Sequence, residues 1–518
     1  MKIKYIWLLF IVFGLTACVN DDNSMTMEPA VELTAGSADF SKFVAVGNSL
    51  TAGFTDNALF IAGQNNSFPN ILAQQFGLLG GGAFAQPLMN DNFGGMSLGG
   101  TRILNPRLVT TGGAPLPLES VIGPVMPTTD LLVNNPTGPF NNMGVPGARS
   151  LELLAPGYGN LANFPAAANP YFIRMTGATP DATVLEMALA QAPTFFSLWI
   201  GNNDVLGYAT SGGDGSSPLT DVPTFTGAYN AIVGALAGSG AKGVVANIPD
   251  VTTIPFFTSV VHNELDPSDP AFAPQIPALN AAYAPLNAAF DFLGVPERKV
   301  VFSDTEASAM VIHDESLANI SAQLNAVLQG GGLDPLTAGL LAAQYGQSRQ
   351  ANETDLFTLL SGSVIGTLNE TYFNQLLMLG VPAATAGQLA VNGLTYPMED
   401  QHVLLPSEQL EVKTATDAFN SVIAAAAGQS GLGLVDANAL LTELATGGIA
   451  SDDFILTSDL VLGGAFSLDG VHPNSRGYAL IANEFLKAID AAYGSTFSES
   501  GNLVDIGDYP TNFSPLLQ

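Results

Sequence analysis

Val44-Ala45-Val46-Gly47-Asn48-Ser49-Leu50-Thr51-Ala52-Gly53 is the stretch on which the fold turns. The run Phe43–Val46 is apolar without interruption, as in strands buried on both faces of a parallel sheet. Gly47 and Gly53 then allow a tight turn. In open α/β sheets the chemistry gathers at turns that follow the carboxyl ends of strands. Read alone, a serine such as Ser49 is more often a turn residue than a nucleophile. The rest of the chain has to decide.

Strand and helix patterns alternate after this opening. Ser67–Phe76 has the spacing of a short helix, and Asp181–Gln191 that of another. Thr194–Ile200 reads as a strand ending at Gly201-Asn202-Asn203-Asp204. Thr224–Leu236 is helical and Gly243–Ile248 is again an apolar strand. Such alternation predicts βαβ units around a parallel sheet. Residues 54–140 are rich in Gly, Pro and Asn and hold no sustained period, so they read as long ordered loops. Farther on, Ala278–Leu293 and Leu317–Val327 read as helices with a strand at Lys299–Phe302 between them, and 333–391 as a mainly helical insertion. Pro406–Ala427 reads as a helix stopped by Gly428, Gly433–Asp436 as a strand and Ala437–Ala445 as a helix. The last helix is capped by Asn474 or Ser475 and stops by Gly494, and 495–518 reads as a polar tail.

Composition narrows the function. The chain has 518 residues, 47% of them apolar and 11% charged, which suits a large folded core. Asp and Glu number 45 against 14 Lys and Arg, a net charge of −31. That balance repels phosphate backbones, so nucleic acid is not an expected partner. The triple glycine Gly80-Gly81-Gly82 is followed by no Lys-Ser/Thr pair, no dinucleotide fingerprint is present, and no His or Cys cluster has ligand spacing. Neither cofactor nor metal is therefore expected.

The N-terminus has the parts of a targeting segment: Lys2 and Lys4, an apolar stretch Ile6–Leu15, then Leu15-Thr16-Ala17-Cys18. The apolar stretch is shorter than the ~20 residues that span a bilayer. These last four residues resemble the lipobox of bacterial lipoproteins. The resemblance implies a signal peptide over 1–17, lipidation at Cys18 (the single cysteine of the chain), and a membrane-anchored protein of the bacterial envelope, at the outer membrane or cell surface. Residues 18–39 then read as a tether to the folded domain.

A hydrolytic serine needs a base, a group that orients the base, and donors for the developing oxyanion. Asp469-Gly470-Val471-His472 supplies a carboxylate three residues before a histidine, on a loop leading into the last helix. Such a turn can set the carboxylate against Nδ1 and leave Nε2 free for a hydroxyl. The other histidines, His262, His313 and His402, have no comparable setting.

Four blocks, in order, resemble those of the SGNH (GDSL-type) hydrolases: Gly47-Asn48-Ser49-Leu50, Asn142 to Gly147, Gly201-Asn202-Asn203-Asp204, and Asp469-Gly470-Val471-His472. The resemblance implies a three-layer α/β/α, flavodoxin-like parallel sheet over 40–494. It implies Ser49 as nucleophile, His472 as general base and acid, Asp469 as its orienting group, and an oxyanion hole of Ser49 N–H, Gly147 N–H and the Asn203 amide. The implied activity is that of a serine esterase or lipase acting on an ester, of a lipid or an acylated glycan, by a monomer. The alternatives are a carbohydrate O-acetylesterase using the same triad and a ligand-binding surface lipoprotein without activity. Two features depart from the family pattern. Asn48 stands where the motif has aspartate, and long insertions separate the blocks, with the expectation that they shape or cover the acyl pocket.

Overall fold

The computed structural model describes residues 31–517. Its centre is a five-stranded, wholly parallel sheet of β1 (Phe43–Gly47), β2 (Asn142–Gly144), β3 (Phe195–Trp199), β4 (Lys242–Ala246) and β5 (Gly433–Val435). In space the strands run β2-β1-β3-β4-β5. All five residues of β1 and all five of β3 are buried, as expected of strands covered on both faces, Ser197 at the centre of β3 included. The strand order reverses between β1 and β3, and a crevice opens at the carboxyl ends of strands at such a point.

Helices cover the sheet. In chain order the helices of the chain include α1 (Ser49–Ala52), α2 (Phe68–Gly77), α3 (Asn203–Thr210), α4 (Val222–Gly238), α5 (Ile276–Leu293), α6 (Pro406–Ser430), α7 (Ala437–Thr446) and α8 (Ser475–Tyr493), of which α5 packs in a second buried cluster and not on the sheet. Alternation along β3 sends Phe195 and Trp199 to one face of the sheet. There Phe195 meets Phe76 of α2 and Tyr493 of α8, and Trp199 meets Phe68 of α2 and Phe485 of α8. Elsewhere α4 packs along α6, with Phe225 stacked on Phe419 at 4.0 Å between ring centroids. The α/β architecture expected from the alternation is thus present.

A second buried cluster runs from Val260 to Leu405 and holds Tyr283, Phe290, Val311, Leu324 and Tyr345. The helical segment expected at 333–391 is only part of this wider unit. Within it Tyr283 and Tyr345 share a 2.8 Å hydroxyl contact, and Tyr345 donates to the Thr395 carbonyl at 2.6 Å.

Several expected elements are corrected. Lys299–Phe302 is not a strand. Side chains take the place of a partner strand: Asn287 brackets the Val300 N–H and C=O at 2.9 and 2.8 Å, and Asn280 does the same for Phe302 at 2.9 and 2.8 Å. The helix expected at Leu317–Val327 starts later and spans Ser321–Gly330. Helix α6 passes through Gly428 and ends at Gly431, which takes the left-handed φ of 62° that a C-terminal stop favours. The polar tail is part of the fold: Phe497 and Ile506 are fully buried, and Arg107 donates to the Ser514 carbonyl at 2.6 Å. The end of the expected tether is docked too, with Ser37 N–H on the Tyr493 carbonyl at 2.8 Å. Residues 1–17 and Cys18 lie outside the described residues, and among those described no helix is long and apolar enough to cross a membrane.

Candidate active site

Ser49 is the first residue of α1, immediately after β1, and is 8% exposed. Asn48 caps this short helix by accepting the Leu50 N–H at 3.0 Å on its Oδ1. Its Nδ2 donates to the Asn202 Oδ1 at 3.2 Å. A carboxylate in that position could make the first bond and not the second, because it has no N–H. Asn48 therefore fastens the turn after β1 to the turn after β3.

His472 reaches Ser49 from the far end of the chain. Its Nε2 lies 2.9 Å from Ser49 Oγ, and its Nδ1 lies 2.9 Å from Asp469 Oδ2. An ionised carboxylate only accepts, so Nδ1 carries the proton and Nε2 accepts from the serine hydroxyl. The loop before α8 is held for this purpose. Ser467 N–H donates to the His472 carbonyl at 2.8 Å, and Asn474 caps α8 by accepting Gly477 N–H at 2.9 Å. Gly470 adopts φ +71°, and a Cβ there would press on the Phe256 backbone. Phe54 covers the imidazole, with ring centroids 4.7 Å apart.

Asp469 is surrounded by donors. Its Oδ1 accepts from Val471 N–H, His472 N–H and Ser467 Oγ at 2.9, 2.8 and 3.0 Å, and its Oδ2 accepts from Asn57 N–H at 2.9 Å. Burial works to raise its pKa. The charge and hydrogen bonds of His472, with the loop N–H groups, outweigh burial and hold it at about 2.

The Asn57 contact comes from a turn that sequence reasoning missed. Asp56 and Asn57 have φ of 52° and 60° between the mutually bonded Thr55 and Ala58, the geometry of a type I′ turn. Asp56 N–H donates to Ser467 Oγ at 3.0 Å, and Asp56 Oδ1 accepts Leu468 N–H at 3.2 Å. Asp56 is almost fully buried, and burial, with the nearby charge of Asp469, raises its pKa to about 7 against the pull of Leu468 N–H and Arg107. The signal available in the sequence was an Asp-Asn pair, which tolerates left-handed backbone better than most residues do.

The expected oxyanion donors are placed as follows. Val145-Pro146-Gly147-Ala148 is a turn closed by Ala148 N–H on the Val145 carbonyl at 3.1 Å, with Gly147 at φ +83°, the type II pattern. Among the described residues no acceptor takes the N–H of Ser49 or of Gly147. Asn203 Nδ2 donates one hydrogen to the Ala148 carbonyl at 2.9 Å, which leaves its second hydrogen free for another acceptor. Asp204 secures the same junction by accepting Ser150 N–H and Oγ at 2.9 and 2.8 Å. Asn203, Ser49 and His472 line one cleft, whereas Gly147 is exposed one residue from the Asn203 contact and does not line it. No residue of 54–140 or of the Val260–Leu405 unit lines this cleft; the part of its wall that lies between the third and fourth blocks comes from Leu206, Pro249, Val251, Ile254 and residues of 437–466. Leu359 of the second unit touches the site from outside, near Gly470.

Such an arrangement can withdraw a proton from a serine hydroxyl and return it to a leaving group. A second acidic group, Glu315, Asp400 and Glu408, lies apart from it, with ligand-capable atoms within 4.8 Å of one another. No family model, no curated protein and no solved structure matches the chain.

Proposed function

We propose that the chain is a serine ester hydrolase of the SGNH (GDSL-type) kind. The observation that carries this reading is the continuous hydrogen-bonded line Ser49–His472–Asp469. The strand order β2-β1-β3-β4-β5, which is the flavodoxin-like order, supports the family as well. So does the position of Ser49 and Asn203 after the two strands flanking the reversal point.

In this mechanism Ser49 Oγ attacks the ester carbonyl carbon while its proton passes to His472 Nε2. The carbonyl π electrons move onto oxygen, where Ser49 N–H, Gly147 N–H and the free Asn203 N–H are the proposed donors. Collapse expels the alkoxide, which takes the proton from Nε2 and leaves as the alcohol. Water then repeats the sequence on the acyl-serine, with His472 again base and then acid, and releases the carboxylic acid. Asp469 stays ionised throughout and stabilises the imidazolium. Lipidation at Cys18 would hold the enzyme at an envelope membrane.

The test is hydrolysis of a series of p-nitrophenyl esters by the full chain and by Ser49→Ala. Turnover by the wild type and its loss in the variant is the expected result. Equal turnover by both, or none by either at any chain length, overturns the proposal.

A further inference from the structure

We infer that the cleft beside Ser49 is an acyl pocket for a medium-length apolar chain, which rests on the ester-hydrolase reading and names its substrate class. The cleft opens beside Ser49 and His472. Asn48, Ser49, Asn202, Asn203 and His472 are its polar side chains, and all five belong to the constellation described above. Among the described residues, the one other polar side-chain group of its lining is the Trp199 indole N–H, which is committed to the Asn247 carbonyl at 3.0 Å. Among the described residues, no Asp, Glu, Lys or Arg lines it. The remaining wall is aliphatic and aromatic, with Val251, Ile254, Leu441, Leu444 and Ile481 all buried.

A sugar ring needs directional partners, and a wall without free donors or acceptors leaves its hydroxyls unpaired at a large cost. An alkyl chain needs none. The wall also has a direction. Ala437, Leu440, Leu441 and Leu444 share one stripe of α7, since they stand at i, i+3, i+4 and i+7. Helix α7 follows β5, so its first turn lies near the carboxyl edge of the sheet where Ser49 sits, and Leu444 lies two turns farther back. The stripe runs about 10 Å at 1.5 Å per residue, the extended length of an acyl chain of roughly eight carbons. Acetate would fill only the end beside Ser49 and leave the leucines without a partner.

The experiment is a chain-length series from acetate to palmitate with the full chain, together with Leu444→Trp. The expected profile rises about fourfold in kcat/KM per added methylene up to the octanoate region and then levels or falls. Leu444→Trp should lower the octanoate-to-butyrate ratio tenfold or more. A wild type that prefers acetate, or a Leu444→Trp profile identical to wild type, overturns the acyl pocket and leaves the hydrolase reading standing. The pocket is also read without turnover, by octanoate protecting Ser49→Ala against thermal unfolding. That protection should be absent with acetate and weaker in Ser49→Ala/Leu444→Trp. Equal protection by acetate and octanoate counts against the pocket whatever the catalytic result.

Discussion

Asp469 keeps 9% of its side chain exposed, and Glu408, in the first turn of α6, is 5% exposed, yet the two carboxylates are held in opposite protonation states. Asp469 meets His472, three backbone N–H groups and a hydroxyl, and stays ionised down to about pH 2. Glu408 receives one backbone donor, from Leu405 at 2.7 Å, and otherwise faces Glu315 and Asp400. Burial and the neighbouring acids push its pKa well above the carboxylate range. Asp400 is pushed up to about 6 by burial and by Glu315 and Asp214, and its buried Oδ1 has no hydrogen-bond partner. Burial alone penalises both charges; the donors decide which carboxylate keeps its charge. The two acidic places thus separate a carboxylate that is paired with an imidazole and kept ionised from one, Glu408, that is held protonated at neutral pH where the second unit meets α6.

Removing the charge of Asp469 should have the largest effect. Asp469→Asn keeps the shape but lets Nδ1 accept, which favours the wrong tautomer, and kcat for the best ester should fall about 10⁴-fold. Steady-state kinetics with an unchanged melting profile near neutral pH would locate that loss in orientation rather than folding. Next in size is Asn203→Ala. It removes one proposed oxyanion donor, and kcat should fall about 10²–10³-fold with little change in KM. A fall in KM-dependent binding alone would move Asn203 out of that role.

The turn at Asp56 gives a smaller and pH-dependent effect. Its folded pKa of about 7 lies above the ordinary value of 3.8, so its contribution to stability is full below that ordinary value and is lost as pH rises through about 7. Asp56→Asn should therefore gain on the wild type in thermal melts between pH 5 and 8, and identical pH slopes would contradict the assignment. The smallest effect is expected at the acidic seam. Glu408 is likewise raised, so the wild type loses stability as pH climbs above the ordinary glutamate range of 4.5. Glu408→Gln should melt a few degrees higher than wild type at pH 9, with no change in ester turnover. If Glu408→Gln also abolished turnover, the separation of the two acidic places would fail.

Much of this layout was legible in the sequence where a local rule and the tertiary environment agree. The apolar run Phe43–Val46 and the aromatic-rich stretch Thr194–Ile200 became central strands, and Gly494 marked the end of α8, whose cap is Asn474 of the two candidates Asn474 and Ser475. The Asp469-x-x-His472 spacing foretold a contact within one loop. Its bond to Ser49 crosses 423 positions and could be reached only through the resemblance of the four blocks. What sequence could not give was partnership set by distant chain. Lys299–Phe302 has strand residues but is bracketed by Asn280 and Asn287, so no ladder forms. The polar 495–518 segment docks because Phe497 and Ile506 find the core, and two apolar anchors in a polar stretch leave no period to read. Asn48 shows the same limit: its departure from the motif becomes intelligible only beside Asn202.

The most direct measurement of the central claim, that Asp469 and His472 activate Ser49, is mass-spectrometric mapping of the full chain after treatment with a fluorophosphonate. One adduct is expected, on Ser49, lost in His472→Ala and strongly slowed in Asp469→Asn. No adduct on the wild type, or an adduct on another serine that persists in His472→Ala, would contradict it.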